Sequence, residues 1–192
     1  MRTAEVIRRT RETDVQVRLN LDGTGRTEIS TGIGFFDHML TALGVHAGFD
    51  LMVKVEGDLE VDCHHTIEDS GIVLGQALLK ALGEMPVTRY GSAFIPMDEA
   101  LGFVALDISR RPLLVFQCEF SSDRIGGMDT QMVEEFFRSF AFQAGITLHA
   151  KVEYGKNDHH KAEALFKALA HSLKTAVAPL EGKVVLSTKG VL

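Results

Sequence analysis

Cysteine is scarce in this sequence. Cys63 and Cys118 are the two among 192 residues, too few for a disulfide framework. Cys63 precedes a pair of histidines but lacks the CxxC partner usual in a thiolate metal site, so it reads as a small buried filler. Long apolar runs are also missing: none approaches the ~20 residues of a membrane span. The opening residues, Met1-Arg2-Thr3-Ala4-Glu5-Val6, carry no signal-peptide core, and the expected home is the cytoplasm. Positive charge is in deficit, with 20 Lys+Arg against 26 Asp+Glu and a net charge of −6, which argues against general nucleic-acid binding. What is present, 45% hydrophobic and 24% charged residues, suits a globular protein with a substantial core.

Histidine is arranged, not scattered. Cys63-His64-His65-Thr66-Ile67-Glu68 and Asp158-His159-His160-Lys161-Ala162-Glu163 both contain H-H-x-x-E, offset by 95 residues (159 − 64 and 163 − 68). Each copy runs into an Ala/Leu-rich segment, Gly71 to Leu82 and Ala164 to Val177. Read as a helix, the Glu shares a face with the first His (i, i+4) and lies near the second (i, i+3). The adjacent imidazoles diverge by ~100°, so they serve two ions more readily than one. A single copy could be a helix start whose Glu serves a capping box or the helix dipole. Two copies in matching context hold half of the eight histidines and offer the donors for a pair of divalent metal sites.

Periodicity sets the frame. Residues 4–10 and 14–21 read as strands, the second alternating Val15, Val17, Leu19 and Leu21 with polar neighbours. Asp22-Gly23-Thr24-Gly25 is a turn signal, and Arg26 to Thr31 reads as a returning strand that would make a hairpin. Phe35 to Leu43 reads as a helix and Asp50 to Gly57 as a strand before the first HHxxE helix. The second half replays this order. Leu101 to Ile108 is a strand, Arg110-Arg111-Pro112 takes the turn, and Leu113 to Phe120 returns. A helix over Met132 to Phe142, a strand over Ile146 to Glu153 and the second HHxxE helix follow. The expected fold is α+β: an internal duplication of a β-β-α-β-α half, with helices packed on one face of each sheet. The halves divide at 1–92 and 93–192 and form one compact unit. A short strand from Lys183 and a Ser187-Thr188-Lys189-Gly190 turn close the chain.

The repeat works as a ruler. Val53-Lys54-Val55-Glu56 matches Ala150-Lys151-Val152-Glu153 at an offset of 97. At that offset His38 lies opposite Glu135, and both can ligate a divalent ion. The candidate ligands are therefore His38, His64, His65, Glu68, Glu135, His159, His160 and Glu163. His46, His149 and His171 have no ligand-type partner in the repeat; His149 and His171 are read as structural.

Three stretches together, Gly34-Phe35-Phe36-Asp37-His38-Met39-Leu40, Asp62-Cys63-His64-His65-Thr66-Ile67-Glu68-Asp69 and Asn157-Asp158-His159-His160-Lys161-Ala162-Glu163, resemble the imidazoleglycerol-phosphate dehydratase family. The resemblance runs from Thr10-Arg11-Glu12-Thr13 to Ser187-Thr188-Lys189-Gly190. Many members have His where Glu135 stands and Asp where Cys63 stands. The resemblance implies ferredoxin-like halves, a shell of 24 identical subunits with sites between neighbours, and two manganese ions per site. It assigns His38, His65, His159 and Glu163 to one ion, and His64, Glu68, Glu135 and His160 to the other. Ligand type alone also admits Fe or Zn.

The implied reaction is dehydration of D-erythro-imidazole glycerol phosphate to imidazole acetol phosphate, in histidine biosynthesis. The hydrogen to be removed lies on a carbon bearing hydroxyl, where direct abstraction is poor. Two ions on the substrate's imidazole would favour an imidazolate; loss of the hydroxyl then gives a diazafulvene-like intermediate. Glu12 and Glu163 are the implied acid/base pair. Arg89, Arg111, Lys167, Ser187 and Lys189, with Thr188 beside them, are the implied phosphate ligands, Arg suiting bidentate contact and Lys a point charge. On spacing alone, Lys167 is also an ordinary ion-pair partner of Glu163. Two other classes share the donor types: a dinuclear metallohydrolase, which phosphate release would reveal, and an inert metal-storage shell.

Overall fold

A computed structural model describes residues 1–180. The chain runs β1 (Thr3–Arg9), β2 (Thr13–Asn20), β3 (Thr27–Ser30), α1 (Gly34–Ala47), β4 (Asp50–Gly57) and α2 (His64–Leu82). It then repeats: β5 (Tyr90–Met97), β6 (Ala100–Asp107), β7 (Leu113–Gln117), a small hairpin of β8 (Arg124–Ile125) and β9 (Met128–Asp129), α3 (Gln131–Ala144), β10 (Thr147–Tyr154) and α4 (Asp158–Ala176). The sheets have the same order, β1-β2-β4-β3 and β5-β6-β10-β7. This is the expected duplicated α+β architecture; each half has three sheet strands before its first helix, and the second half adds the small β8–β9 hairpin. The closing strand and turn expected from Lys183 onward, with Ser187, Thr188 and Lys189, lie outside the described residues.

Two strand pairings differ from the sequence expectation. β2 and β3 do not form a hairpin. β2 lies between β1 and β4, antiparallel to both, so its backbone groups are already used. β3 crosses over and pairs in parallel with the far side of β4. The Asp50 carboxylate fixes this crossover by accepting from the Thr24 and Arg26 N–H groups, at 2.8 and 3.1 Å. β7 likewise pairs in parallel with β10, not as a return beside β6. β5 was not foreseen. It is an edge strand, the position where its Pro96 costs no ladder bond, and it begins at Tyr90, three residues before the expected second half.

The offsets now have a structural meaning. β2 and β6 start 87 residues apart (100 − 13), whereas α1 and α3 start 97 apart (131 − 34). The ten extra residues fall between β7 and α3, where the β8–β9 hairpin sits. α1 and α3 end alike, on Gly48 and Gly145, both left-handed at φ 75° and 67° and both closing the last turn with their N–H groups.

The helices of one half pack on those of the other, α2 on α3 and α1 on α4. Gly75 lets α2 approach closely: a Cβ there would lie 2.6 Å from the Phe140 carbonyl oxygen. The result is one core. Phe36 of the first half meets Phe136 of the second edge-on at 5.4 Å, and Phe136 stacks on Phe166 at 5.2 Å. Among the described residues, no helix is long and apolar enough to cross a membrane.

Candidate metal and active site

Both histidine pairs sit at helix starts that polar side chains fix. The Asn157 side chain accepts from the N–H groups of His159 and His160, and Asp62 accepts from the His64 N–H at 2.7 Å. Within each pair the rings stand nearly perpendicular, with centroids 6.1 Å apart. The divergence expected from helical geometry is therefore present in both copies.

The helix pairing between halves decides what each motif meets. α1 brings His38 against α4, where His38 Nε2 is 3.5 Å and His159 Nε2 3.1 Å from the same Glu163 oxygen. α3 brings Glu135 against α2, beside His64 and Glu68, whose Nε2 and Oε2 are 3.6 Å apart. In each triad one donor atom per residue lies within 4.8 Å of the others. Each triad thus takes two ligands from an HHxxE helix and the third from a helix of the other half. That third position is held by the repeat mates His38 and Glu135.

Cations balance the carboxylates. Lys167 Nζ lies 2.7 Å from Glu163 Oε1. Burial pushes the Glu163 carboxyl up, but the Lys167 hydrogen bond and charge, with His38 and His159, outweigh it and hold the group below its usual range. Arg138 pairs with Glu135 and reaches Glu68 at 3.8 Å.

His65 and His160 join neither triad. His65 Nδ1 is 2.9 Å from Asp58 and its Nε2 3.8 Å from Glu12. His160 Nδ1 is 2.7 Å from Glu99 and its Nε2 3.6 Å from Asp98. The hydrogen bonds to Asp58 and Glu99 raise the pKa of each imidazole. Four donors, the Asn157 N–H first, then the His160 imidazole and the Lys156 and Glu99 N–H groups, hold the Glu99 carboxyl down at about 2. So six of the eight expected ligands meet within one chain, while two face separate acidic pairs.

Among the described residues, Arg89 and Arg111 meet at one carboxylate while Lys167 stands apart from them. Arg89 lies on Asp107, with Nε to Oδ1 at 2.6 Å, and Arg111 reaches the same carboxylate at 3.9 Å. Lys167 belongs to the Glu163 triad. The Arg89 N–H donates to the Ala176 carbonyl, nine residues further along α4 than Lys167, a rise of roughly 13 Å. Glu12 is exposed on the β1–β2 turn. Cys63 is buried outside both triads. His46 and His171 pack together between α1 and α4, ring centroids 5.5 Å apart, and His149 is exposed on β10. Sequence reasoning missed Asp58, Asp98, Glu99 and Arg138. One signal pointed to Glu99: at the 87-residue offset it is the mate of Glu12.

Fold and site together define a duplicated α+β protein whose cross-paired helices carry two quasi-equivalent His–carboxylate centres. The family model for imidazoleglycerol-phosphate dehydratase matches residues 31–173. The imidazoleglycerol-phosphate dehydratases of Methanosarcina barkeri and Acetivibrio thermocellus are 59% and 56% identical to the chain, covering all of it and 100% and 99% of their own lengths. The crystal structure of the Staphylococcus aureus enzyme aligns with TM-score 0.84 at 38% identity, covering 93% of this chain and 99% of that one. The Pyrococcus furiosus structure aligns with TM-score 0.85 at 39% identity, covering 97% and 100%. The chain belongs to the imidazoleglycerol-phosphate dehydratase family, hydro-lyases of histidine biosynthesis.

Proposed function

We propose that the chain dehydrates D-erythro-imidazole glycerol phosphate to imidazole acetol phosphate using two divalent metal ions, manganese by family, at sites shared between subunits. One observation carries this reading: two triads each hold three donors of an expected four-ligand set, while one chain has two surplus imidazoles, His65 and His160. The donor chemistry fits. Imidazole Nε2 atoms and carboxylate oxygens converge, and mixed N/O ligation suits manganese, iron or zinc.

His65 of a neighbour would complete the His38, His159 and Glu163 set, and His160 of a neighbour the His64, Glu68 and Glu135 set. Such exchange requires self-association, and the 24-subunit shell is the assembly we expect. We place the enzyme in the cytoplasm on the strength of its biosynthetic family.

Bound ions would supply charge that lowers the pKa of the substrate's imidazole. The chain's own residues do the rest. Glu12 lies 3.8 Å from His65 Nε2, so it would travel with that histidine to the shared site and there move the proton. Glu163, held ionised among His38, His159 and Lys167, suits a ligand better than a proton carrier. Arg89, steadied by Asp107, would grip the phosphate with Arg111, Lys167, Ser187, Thr188 and Lys189. Stripping with a chelator should abolish formation of the ketone product and lower the assembled mass, and Mn²⁺ should restore both. Full turnover by stripped protein would refute the metal reading.

A further inference from the structure

His65 and His160 have the same environment built twice from different sequence positions. Each Nδ1 meets a carboxylate, Asp58 at 2.9 Å and Glu99 at 2.7 Å. These carboxylates are not repeat mates. Glu99 corresponds to Glu12 at the offset of 87, and Asp58 corresponds to Gly155 at the offset of 97. Asp58 follows β4, while Glu99 sits in the turn between β5 and β6. Duplication alone therefore does not explain the pairing; each half supplies an Nδ1 acceptor from its own loops.

Both acceptors are anchored to the frame that carries their histidine. Glu99 Oε1 accepts from the N–H groups of Lys156 and Asn157, at 3.0 and 2.7 Å, and leaves Oε2 for His160. The Asp58 N–H donates to the Glu12 carbonyl at 3.1 Å. Its Oδ2 takes the His65 contact, while its Oδ1 is buried with no partner among the described residues. A carboxylate with one oxygen buried and unpaired is a poor device for stability, which leaves its hold on the imidazole as the reason for its place. An ionised carboxylate only accepts, so the proton stays on Nδ1 and the Nε2 lone pair is free for a ligand bond.

We propose that Asp58 and Glu99 are positioning residues that fix His65 and His160 as Nδ1–H tautomers, presenting Nε2 to the metal sites of neighbouring subunits. This rests on the shared metal sites proposed above. The tautomer is readable without metal, by long-range ¹H–¹⁵N NMR of stripped protein carrying ¹⁵N-histidine. Asp58→Ala should shift only His65 toward the other tautomer and Glu99→Ala only His160. Each should weaken Mn²⁺ binding about 10–100-fold in chelator competition. Asp58→Asn, whose amide oxygen still accepts from Nδ1–H, should recover most of the wild-type tautomer and keeps the test open where the alanine variant fails to fold. Variants with wild-type tautomers and Mn²⁺ affinity would overturn the assignment. Wild-type protein with no Mn²⁺ affinity would overturn the shared-metal reading itself, and this assignment with it.

Discussion

Glu12 and Glu163 are both carboxylates beside imidazoles, but their surroundings separate their roles. Glu163 is nearly buried and faces two imidazoles and an ammonium. Glu12 is exposed on a turn with one imidazole nearby. Glu12→Gln should keep substrate and Mn²⁺ binding but lower kcat by about 10²–10⁴-fold, the usual worth of a general acid/base; turnover and equilibrium binding measured on the same protein check this. A variant with wild-type kcat would remove Glu12 from the proton transfer. At this scale the sequence was informative where chemistry repeats. The two HHxxE motifs and the mates His38 and Glu135 were legible because a helix fixes i, i+4 neighbours and the repeat fixes the third. Asp58 and Asp98 were not legible, because loops bring them to their histidines and loops carry no period.

Among the elements, α2 and α3 approach each other closely in a way the sequence hides. A Cβ on Gly75 would meet the Phe140 oxygen at 2.6 Å and the Ala144 nitrogen at 2.9 Å, both backbone. Helix propensity alone favours Gly75→Ala by about 1 kcal/mol. The clash should win and destabilise the protein by about 1–3 kcal/mol, read as a lower urea midpoint at unchanged slope. The same kind of closeness explains why β5 escaped notice. Gly91 runs beneath the Ser172 carbonyl of α4, so an inward position that would announce a strand with a large apolar residue carries none. β3 and β7 failed differently. Their alternation marked strands, but alternation does not name a partner, and a parallel partner lies beyond an intervening helix.

For the whole molecule, the shared core and the tie between the first strand and the end of α4 set stability. Phe136 touches Phe36, Phe140 and Phe166; Phe136→Ala should cost about 3–5 kcal/mol in chemical unfolding. Arg2 ties the first strand to the end of α4, bonding Asp22 and the Val177 carbonyl. The Arg2 hydrogen bonds hold the Asp22 carboxyl below its ordinary value of 3.8. Its contribution is therefore fully present above that value and lost as pH falls through the lowered folded one. Asp22→Asn should cost about 1–2 kcal/mol at neutral pH, a figure reduced for partial exposure. The gap from wild type should close in acid, as unfolding curves at several pH values would show. A gap that persisted or widened in acid would contradict the linkage.

The crossed pairing of helices also sets a timetable for synthesis. α1 ends at Ala47, but α4, the helix it packs on, begins at Asp158. Roughly 110 residues of chain must be made in between, about 6–22 s at a ribosome adding ~5–20 residues per second. For that interval the first half emerges with the faces meant for α3 and α4 uncovered. A nascent chain stalled after α2 should therefore be protease-sensitive and held by chaperones, and should become resistant only once α4 has left the exit tunnel.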